Sequence, residues 1–179
     1  MFWQIYYSTD FSDVNVLDLG CGYGDLLLMS ALNGAKSITG VDRDPDMVRI
    51  TEKKLARSVA SGIEIYMHVL DVRSRSALAL LGYYDIAFCT SVLPYLKNRD
   101  MILGFMATRV KVSFIEMQYH GDGPGPEDIK NDMQMSTYLQ RFWPSTKMIG
   151  KSFTGRTPPY RSIWRCMVED EDELWQCER

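Results

Sequence analysis

Val14-Asn15-Val16-Leu17-Asp18-Leu19-Gly20-Cys21-Gly22-Tyr23-Gly24 decides how this chain folds. Its first half is a short apolar run, the pattern of a strand buried between neighbours on both sides. It passes without a spacer into Gly20-x-Gly22-x-Gly24, and Asp25-Leu26-Leu27-Leu28-Met29 then reads as the opening of a helix. Strand, glycine turn and helix in that order let backbone come close to a bound ligand, because a Cβ in the turn restricts both the approach and φ. The helix directs its free N–H groups and partial positive charge back at the turn. A small carboxylated or phosphorylated ligand is expected there.

Outward from this unit, strand and helix alternate. Residues 36–42 read as a second strand, entered through the helix-stop pair Asn33-Gly34. Asp44-Pro45 starts a helix, with Asp44 as N-cap and Pro45 in the first helical position. Met47, Val48, Ile50, Thr51, Leu55 and Val59 give it an apolar stripe, and Ser61-Gly62 ends it. Ile63, Ile65, Met67 and Val69 alternate with Glu64, Tyr66 and His68, as in a strand with one wetter face. Further helices are expected near 76–80, 99–108 and 127–142, and further strands at 84–89, 110–118, 147–153 and 161–168. The alternation predicts an α/β fold, a mostly parallel sheet with helices on both faces and right-handed crossovers. No linker divides the chain, so 1–179 reads as one domain, with 1–13 a possible lid and 169–179 an acidic tail.

With 46% hydrophobic and 24% charged residues over 179 positions, the composition is that of a globular domain with a substantial core. The longest apolar run, 26–32, is interrupted by Ser30 and is too short to span a bilayer. No basic region precedes the apolar N-terminal residues, which argues against a secretory signal. Cys21, Cys89, Cys166 and Cys177 are widely spaced, with no Cys-x-x-Cys pair; reduced thiols, a cytoplasmic location and no metal site are expected. A net charge of −3 weighs against a nucleic-acid partner, which requires clustered Lys and Arg.

Ligands of open α/β sheets bind at the carboxyl ends of the strands. Three acids stand there: Asp18, Asp42 and Asp71. Asp42 is placed to accept from both hydroxyls of a ribose, and Asp71, one strand further out, from an exocyclic amine. At this point the chain resembles the class I S-adenosylmethionine-dependent methyltransferases. Val16 to Gly24 is similar to their first motif, Gly40-Val41-Asp42-Arg43-Asp44 to their second and Val69-Leu70-Asp71-Val72 to their third. Tyr84 to Cys89 with Ser91-Val92-Leu93 is similar to their fourth-strand segment. The resemblance implies a seven-stranded Rossmann-like sheet whose last strand is antiparallel, and S-adenosyl-L-methionine as cofactor. It implies that Gly20, Gly22 and Gly24 flank the methionine part, that Asp42 holds the ribose, that Arg43 lies beside the adenine and that Asp71 reads its amine. Asp18, Cys21, Val72, Cys89 and Thr90 complete the cofactor-binding set that it implies. A nicotinamide-dependent oxidoreductase is the competitor on the same architecture. Its fingerprint would put a third glycine where Asp25 stands, and a carboxylate there repels a pyrophosphate.

For the acceptor, Glu116, Gln118 and His120 share parity if the fifth strand continues, so they project together near its carboxyl end. His120 can take a proton near neutral pH or simply cap the Gly121 turn. Glu116 is a second candidate base, and Tyr95, after Pro94, a candidate wall of the acceptor pocket. The Gly/Pro loop 121–126 either borders the same cleft or sets up the next helix. Thr157-Pro158-Pro159-Tyr160 is similar to a motif of base-amino methyltransferases, but it lies between the last two strands rather than after the fourth. The chain thus reads as a methyltransferase acting on a small molecule in preference to a protein. A homo-oligomer could complete the pocket. The alternative is an S-adenosylmethionine-binding module that has lost catalysis and serves as a partner protein.

Overall fold

The structure, a computed structural model, describes residues 2–59, 61–117, 129–153 and 160–168. His120, the 121–126 loop, the Thr-Pro-Pro of the 157–160 motif, Cys177 and the acidic tail lie outside the described residues. The elements in order are α1 (Phe2–Tyr6), β1 (Asn15–Leu19), α2 (Asp25–Leu32), β2 (Ser37–Asp42), α3 (Pro45–Ser58), β3 (Glu64–Val69), α4 (Arg75–Leu78), β4 (Tyr84–Cys89), α5 (Arg99–Arg109), β5 (Val110–Met117), α6 (Asp132–Leu139), β6 (Ser145–Phe153) and β7 (Tyr160–Met167).

The strands form one seven-stranded sheet in the order β3-β2-β1-β4-β5-β7-β6. β1 pairs in parallel with β2 and β4, and β7 runs antiparallel to both β5 and β6. The seven-stranded, mostly parallel Rossmann-like sheet with an antiparallel last strand is therefore present. β1 is apolar on both faces because it is covered on both. Val16 faces a core with Leu27, Ile38, Leu55, Phe88 and Phe114, under α1, α2 and α3. Leu17 and Leu19 face a second core with Leu78, Ile102, Met106, Met135 and Trp143, under α4, α5 and α6. Burial on both faces is why these strands read as continuous apolar runs.

Local signals behave as their chemistry requires. Asp44 accepts from the Asp46 backbone N–H at 2.9 Å, with Pro45 opening α3. β3, at the sheet edge, exposes Glu64, Tyr66 and His68, while Ile65 and Met67 pack inward. Val69, which shares their parity, is 59% exposed at the strand's open end. α6 is shorter than the sequence pattern suggests. Asn131 caps its start by accepting from the Gln134 N–H at 3.0 Å, and the Gln134 side chain accepts in return from the Lys130 N–H at 2.8 Å. These bonds satisfy the free donors at a helix start and fix the boundary at Asn131.

The N-terminal segment carries Ile5, fully buried, into the α1–α3 core, while Trp3 and Tyr7 stay exposed and stack at 5.9 Å. These two rings border a groove of about 860 Å³ against Lys147, Met148 and Ile149 of β6. That groove is larger than the cleft at the strand ends, but it contains neither the glycine turn nor the acids that follow β1 to β3. No helix among the described residues is long and apolar enough to cross a membrane. Cys21, Cys89 and Cys166 are free and buried.

The rings of Phe11, Phe88 and Phe114 form a row through the α1–α3 core, with centroids 6.3 and 5.7 Å apart. Phe88→Ala leaves a cavity at its centre, and urea unfolding is expected to show a loss of about 3–5 kcal/mol. A loss below about 1 kcal/mol would mean that the row is not packed as described.

Candidate cofactor and acceptor site

β1 ends in a turn whose glycines all take positive φ, +81° at Gly20, +49° at Gly22 and +67° at Gly24. At two of them space is also decisive. A Cβ on Gly20 would lie 2.3 Å from Val92 Cγ2, and one on Gly24 the same distance from Thr51 Cγ2. The turn is fastened to β2 and α3. The N–H groups of Gly20 and Cys21 both donate to the Val41 carbonyl, at 2.8 and 3.0 Å, and Thr51 Oγ1 donates to the Gly22 carbonyl at 2.6 Å. Asp42 completes the fastening. Its Oδ2 accepts from the Gly22 N–H and its Oδ1 from the Asp44 N–H, each at 3.0 Å. Asp25, exposed in the first turn of α2, is ion-paired with Lys54.

A cleft of about 330 Å³ opens beside this turn. Gly20 comes from the end of β1, Asp42 and Arg43 from β2, and Leu70 to Arg73 from the segment after β3. Ser91, Val92, Tyr95 and Leu96, after β4, close the other side. Parallel pairing of β1 with β2 and β4, and of β2 with β3, is what brings these four strand ends to one edge. The Asp71 carboxylate is gripped by Arg73. The Arg73 Nε lies 2.9 Å from both oxygens, Nη2 donates to Oδ2, and the Arg73 backbone N–H donates to Oδ1 at 3.0 Å. The Arg73 side chain and its backbone N–H hold the Asp71 carboxyl down at about 2.

Asp18 is the one acid inside β1, 2% exposed, and its Oδ1 has no hydrogen-bond partner among the described residues. Burial first, then the charges of Asp42 and Asp25, push its carboxyl up to about 7. Burial chiefly also raises the Cys21 and Cys89 thiols, so neither is a ready thiolate.

Beyond Ser91 the cleft is backed by a buried polar cluster. Glu116 of β5, 2% exposed, accepts from Ser91 Oγ at 2.7 Å, from Arg161 Nη1 at 3.2 Å and from Ser152 Oγ. Arg161, from the start of β7, also donates to Ser91 Oγ at 2.7 Å and, through Nη2, to the Tyr95 hydroxyl at 3.1 Å. Antiparallel β7 makes this possible: the pairing of Met117 with Ser162 sets the first residues of β7 beside the last of β5. Ser91 sits in the left-handed region at φ 58°, a conformation that costs a non-glycine residue about 1 kcal/mol or more and that its two side-chain bonds hold in place. Arg99 fixes the short turn Leu93–Tyr95 by donating to the carbonyls of Leu93 and Pro94, at 2.8 and 3.2 Å.

Of the residues singled out from sequence, Gly20, Asp42, Arg43, Asp71, Val72 and Tyr95 line the cleft. Asp18, Cys21, Cys89 and Thr90 are buried beside it, and Glu116 stands behind Ser91. Ser91 belongs to the fourth-strand segment noted in the sequence, whereas Arg73 and Arg161 are not singled out there. Arg73 had a signal, a cation two positions after an acid at a strand end. Arg161 had none, because it reaches Ser91 across 70 positions of sequence.

The raised carboxyl of Asp18 gives stability a definite pH dependence. An unfolded aspartate ionises near about 3.9, so between about pH 4 and about pH 7 the native chain keeps a proton that the unfolded chain has lost. Stability therefore falls as pH rises through that window and levels off above it. Asp18→Asn removes the titrating group. Urea unfolding at several pH values is expected to show the variant losing less stability, by up to about 1 kcal/mol per pH unit across the window. Parallel profiles for the two proteins would show that Asp18 does not titrate as described.

A family profile described as "Methyltransferase domain" matches residues 16–112, more than half of the chain. Ubiquinone biosynthesis O-methyltransferase of Sodalis glossinidius is 32% identical over 97 residues, covering 54% of this chain and 37% of the relative. Ribosomal protein L11 methyltransferase of Cellvibrio japonicus is 37% identical over 60 residues, 32% of this chain and 20% of the relative. This chain thus spans well under two thirds of the curated relatives that it matches. Among solved structures, WbdD aligns with TM-score 0.72 at 20% identity, over 93% of this chain and 38% of that one. Magnesium protoporphyrin IX methyltransferase from Synechocystis PCC 6803, with bound SAM, aligns with TM-score 0.67 at 19% identity, over 93% and 75%. At those identities the likeness to solved structures is one of fold. The family match spans the glycine turn and the three acids at the strand ends, and on it this chain belongs to the methyltransferase-domain family.

Proposed function

We propose that this chain binds S-adenosyl-L-methionine across the carboxyl ends of β1, β2 and β3 and transfers its methyl group to a small-molecule acceptor. The observation that carries the reading is the convergence of Gly20, Asp42 and Asp71 on one cleft, with Asp18 and its unpartnered oxygen buried next to the glycine turn. The residues fit the group. A buried carboxylate oxygen without a donor suits a cationic end such as an amino acid ammonium, and a cation there lowers the Asp18 carboxyl from its raised position. Asp42 spends one bond on Gly22 and one on Asp44, which leaves carboxylate lone pairs for the two hydroxyls of a ribose. Asp71 and Arg43 border the space beyond, where the base would lie. The cofactor supplies a methyl group on a sulfonium, already electrophilic, so the protein's share is binding, orientation and exclusion of water.

On the acceptor side, Tyr95 presents a hydroxyl whose oxygen accepts from Arg161, which leaves its own proton for an oxygen of the acceptor. Glu116 serves as the anchor of Arg161. With three side chains donating to its carboxylate, it is a poor candidate for taking the acceptor's proton. His120 remains the candidate base if the acceptor must shed a proton. Tyr95 and Leu96 form the wall of the cleft opposite Asp42 and Asp71, the side left for the acceptor. Of the curated relatives, the one named for ubiquinone biosynthesis is in keeping with a small-molecule acceptor, and the one named for ribosomal protein L11 is not.

Calorimetry with S-adenosylhomocysteine is expected to give a clear binding isotherm, weakened about tenfold or more by Asp42→Ala, since a hydrogen bond to a charged group contributes about 1.5–3 kcal/mol. Undiminished binding by the variant would remove Asp42 from the site. Incubation with methyl-labelled cofactor and a metabolite extract is expected to move label into a small molecule. Binding without transfer to any acceptor would favour the catalytically silent module.

A further inference from the structure

Asp71 is the acid that the proposed cofactor reading assigns to the amine of the purine, yet most of its lone pairs are already engaged. Both carboxylate oxygens lie 2.9 Å from Arg73 Nε, Oδ2 also accepts from Arg73 Nη2, and Oδ1 accepts from the Arg73 backbone N–H at 3.0 Å. A carboxylate offers about four acceptor positions, and three N–H groups, with the single Nε–H shared between the two oxygens, crowd onto them and leave at most one. The guanidinium and an incoming amine therefore compete for one carboxylate.

The competition is easy to reverse. The Arg73 side chain is 53% exposed and the Asp71 side chain 37%, so water can replace the pair, and such pairs hold weakly. The backbone has less freedom. Asn98 Nδ2 donates to the Arg73 carbonyl at 3.0 Å, and the Ser74 N–H donates to the Asp71 carbonyl at 3.0 Å, which closes the turn. The guanidinium can leave while the turn and the backbone bond to Asp71 stay. Arg43, exposed on the same wall of the cleft, keeps a positive charge near Asp71 after that departure.

We propose that Arg73 is a latch on the base end of the cleft: its guanidinium competes with the purine 6-amino group for Asp71, and so limits both cofactor affinity and discrimination of the base. The proposal rests on the S-adenosylmethionine reading given above. A ligand without the amine has no reason to displace Arg73 and gains nothing from its removal. An amine-bearing ligand gains what the latch withholds.

The test is calorimetry of the full chain and of Arg73→Ala with two neutral probes, S-adenosylhomocysteine and its analogue bearing hydrogen in place of the 6-amino group. The variant is expected to bind S-adenosylhomocysteine roughly two- to fivefold tighter, with the analogue unchanged, so that the ratio between the probes widens by the same factor. Weaker binding of both probes by Arg73→Ala would make Arg73 a direct contact, and an unchanged ratio would remove the competition; either result overturns the latch. Absence of binding heat for both probes with both proteins would overturn the cofactor reading itself, and the latch with it.

Discussion

The bond from the Gly22 N–H to Asp42 is the constraint on which the rest of this site depends. It ties the turn after β1 to the acid that closes β2, and the donations of Gly20 and Cys21 to the Val41 carbonyl reinforce it. With positive φ at Gly20 and Gly24, and no room for a Cβ at either, the backbone has one way through. The turn is thereby set before any ligand arrives. Preorganisation of this kind reduces the ordering that binding would otherwise require. The energetic cost sits in Asp18, whose burial and acidic neighbours disfavour its charge. The proposed cofactor site supplies a reason for keeping such a group next to a preformed turn.

In the proposed reading the site has two halves. The cofactor half is built from the ends of β1, β2 and β3 and falls within the family match over residues 16–112. The acceptor half combines the segment after β4 with Glu116, Ser152 and Arg161, and those three lie beyond the matched residues. Ser91 joins the halves, since it lines the cleft and also bonds both Glu116 and Arg161. A buried charge pair such as Arg161 with Glu116 adds little net stability but fixes geometry, here the position of Tyr95.

What could be read from the sequence was local. The β1 run, the glycine turn and Asp44-Pro45 act within a few residues of one another, and they mark the order of elements and the strand ends that border the cleft. α6 starts at Asp132 rather than near residue 127 because Asn131 and Gln134 close the helix end by side-chain bonds that the sequence pattern does not reveal. The Glu116–Arg161 pair was out of reach because it depends on β7 reversing direction between β5 and β6. Glu116, a candidate base by its parity alone, is an anchor in three dimensions. The Asp71–Arg73 contact was legible in spacing, but its consequence needed the lone pairs to be counted.

In the proposed complex one adenosyl ligand bridges the ends of three parallel strands. A crystal structure of the chain with S-adenosylhomocysteine measures this most directly. Ribose hydroxyls are expected on the Asp42 carboxylate, the purine beside Asp71 and the amino acid end over the glycine turn near Asp18. Ligand lodged instead in the groove between Trp3, Tyr7 and β6, with the Asp42 carboxylate untouched, would contradict it.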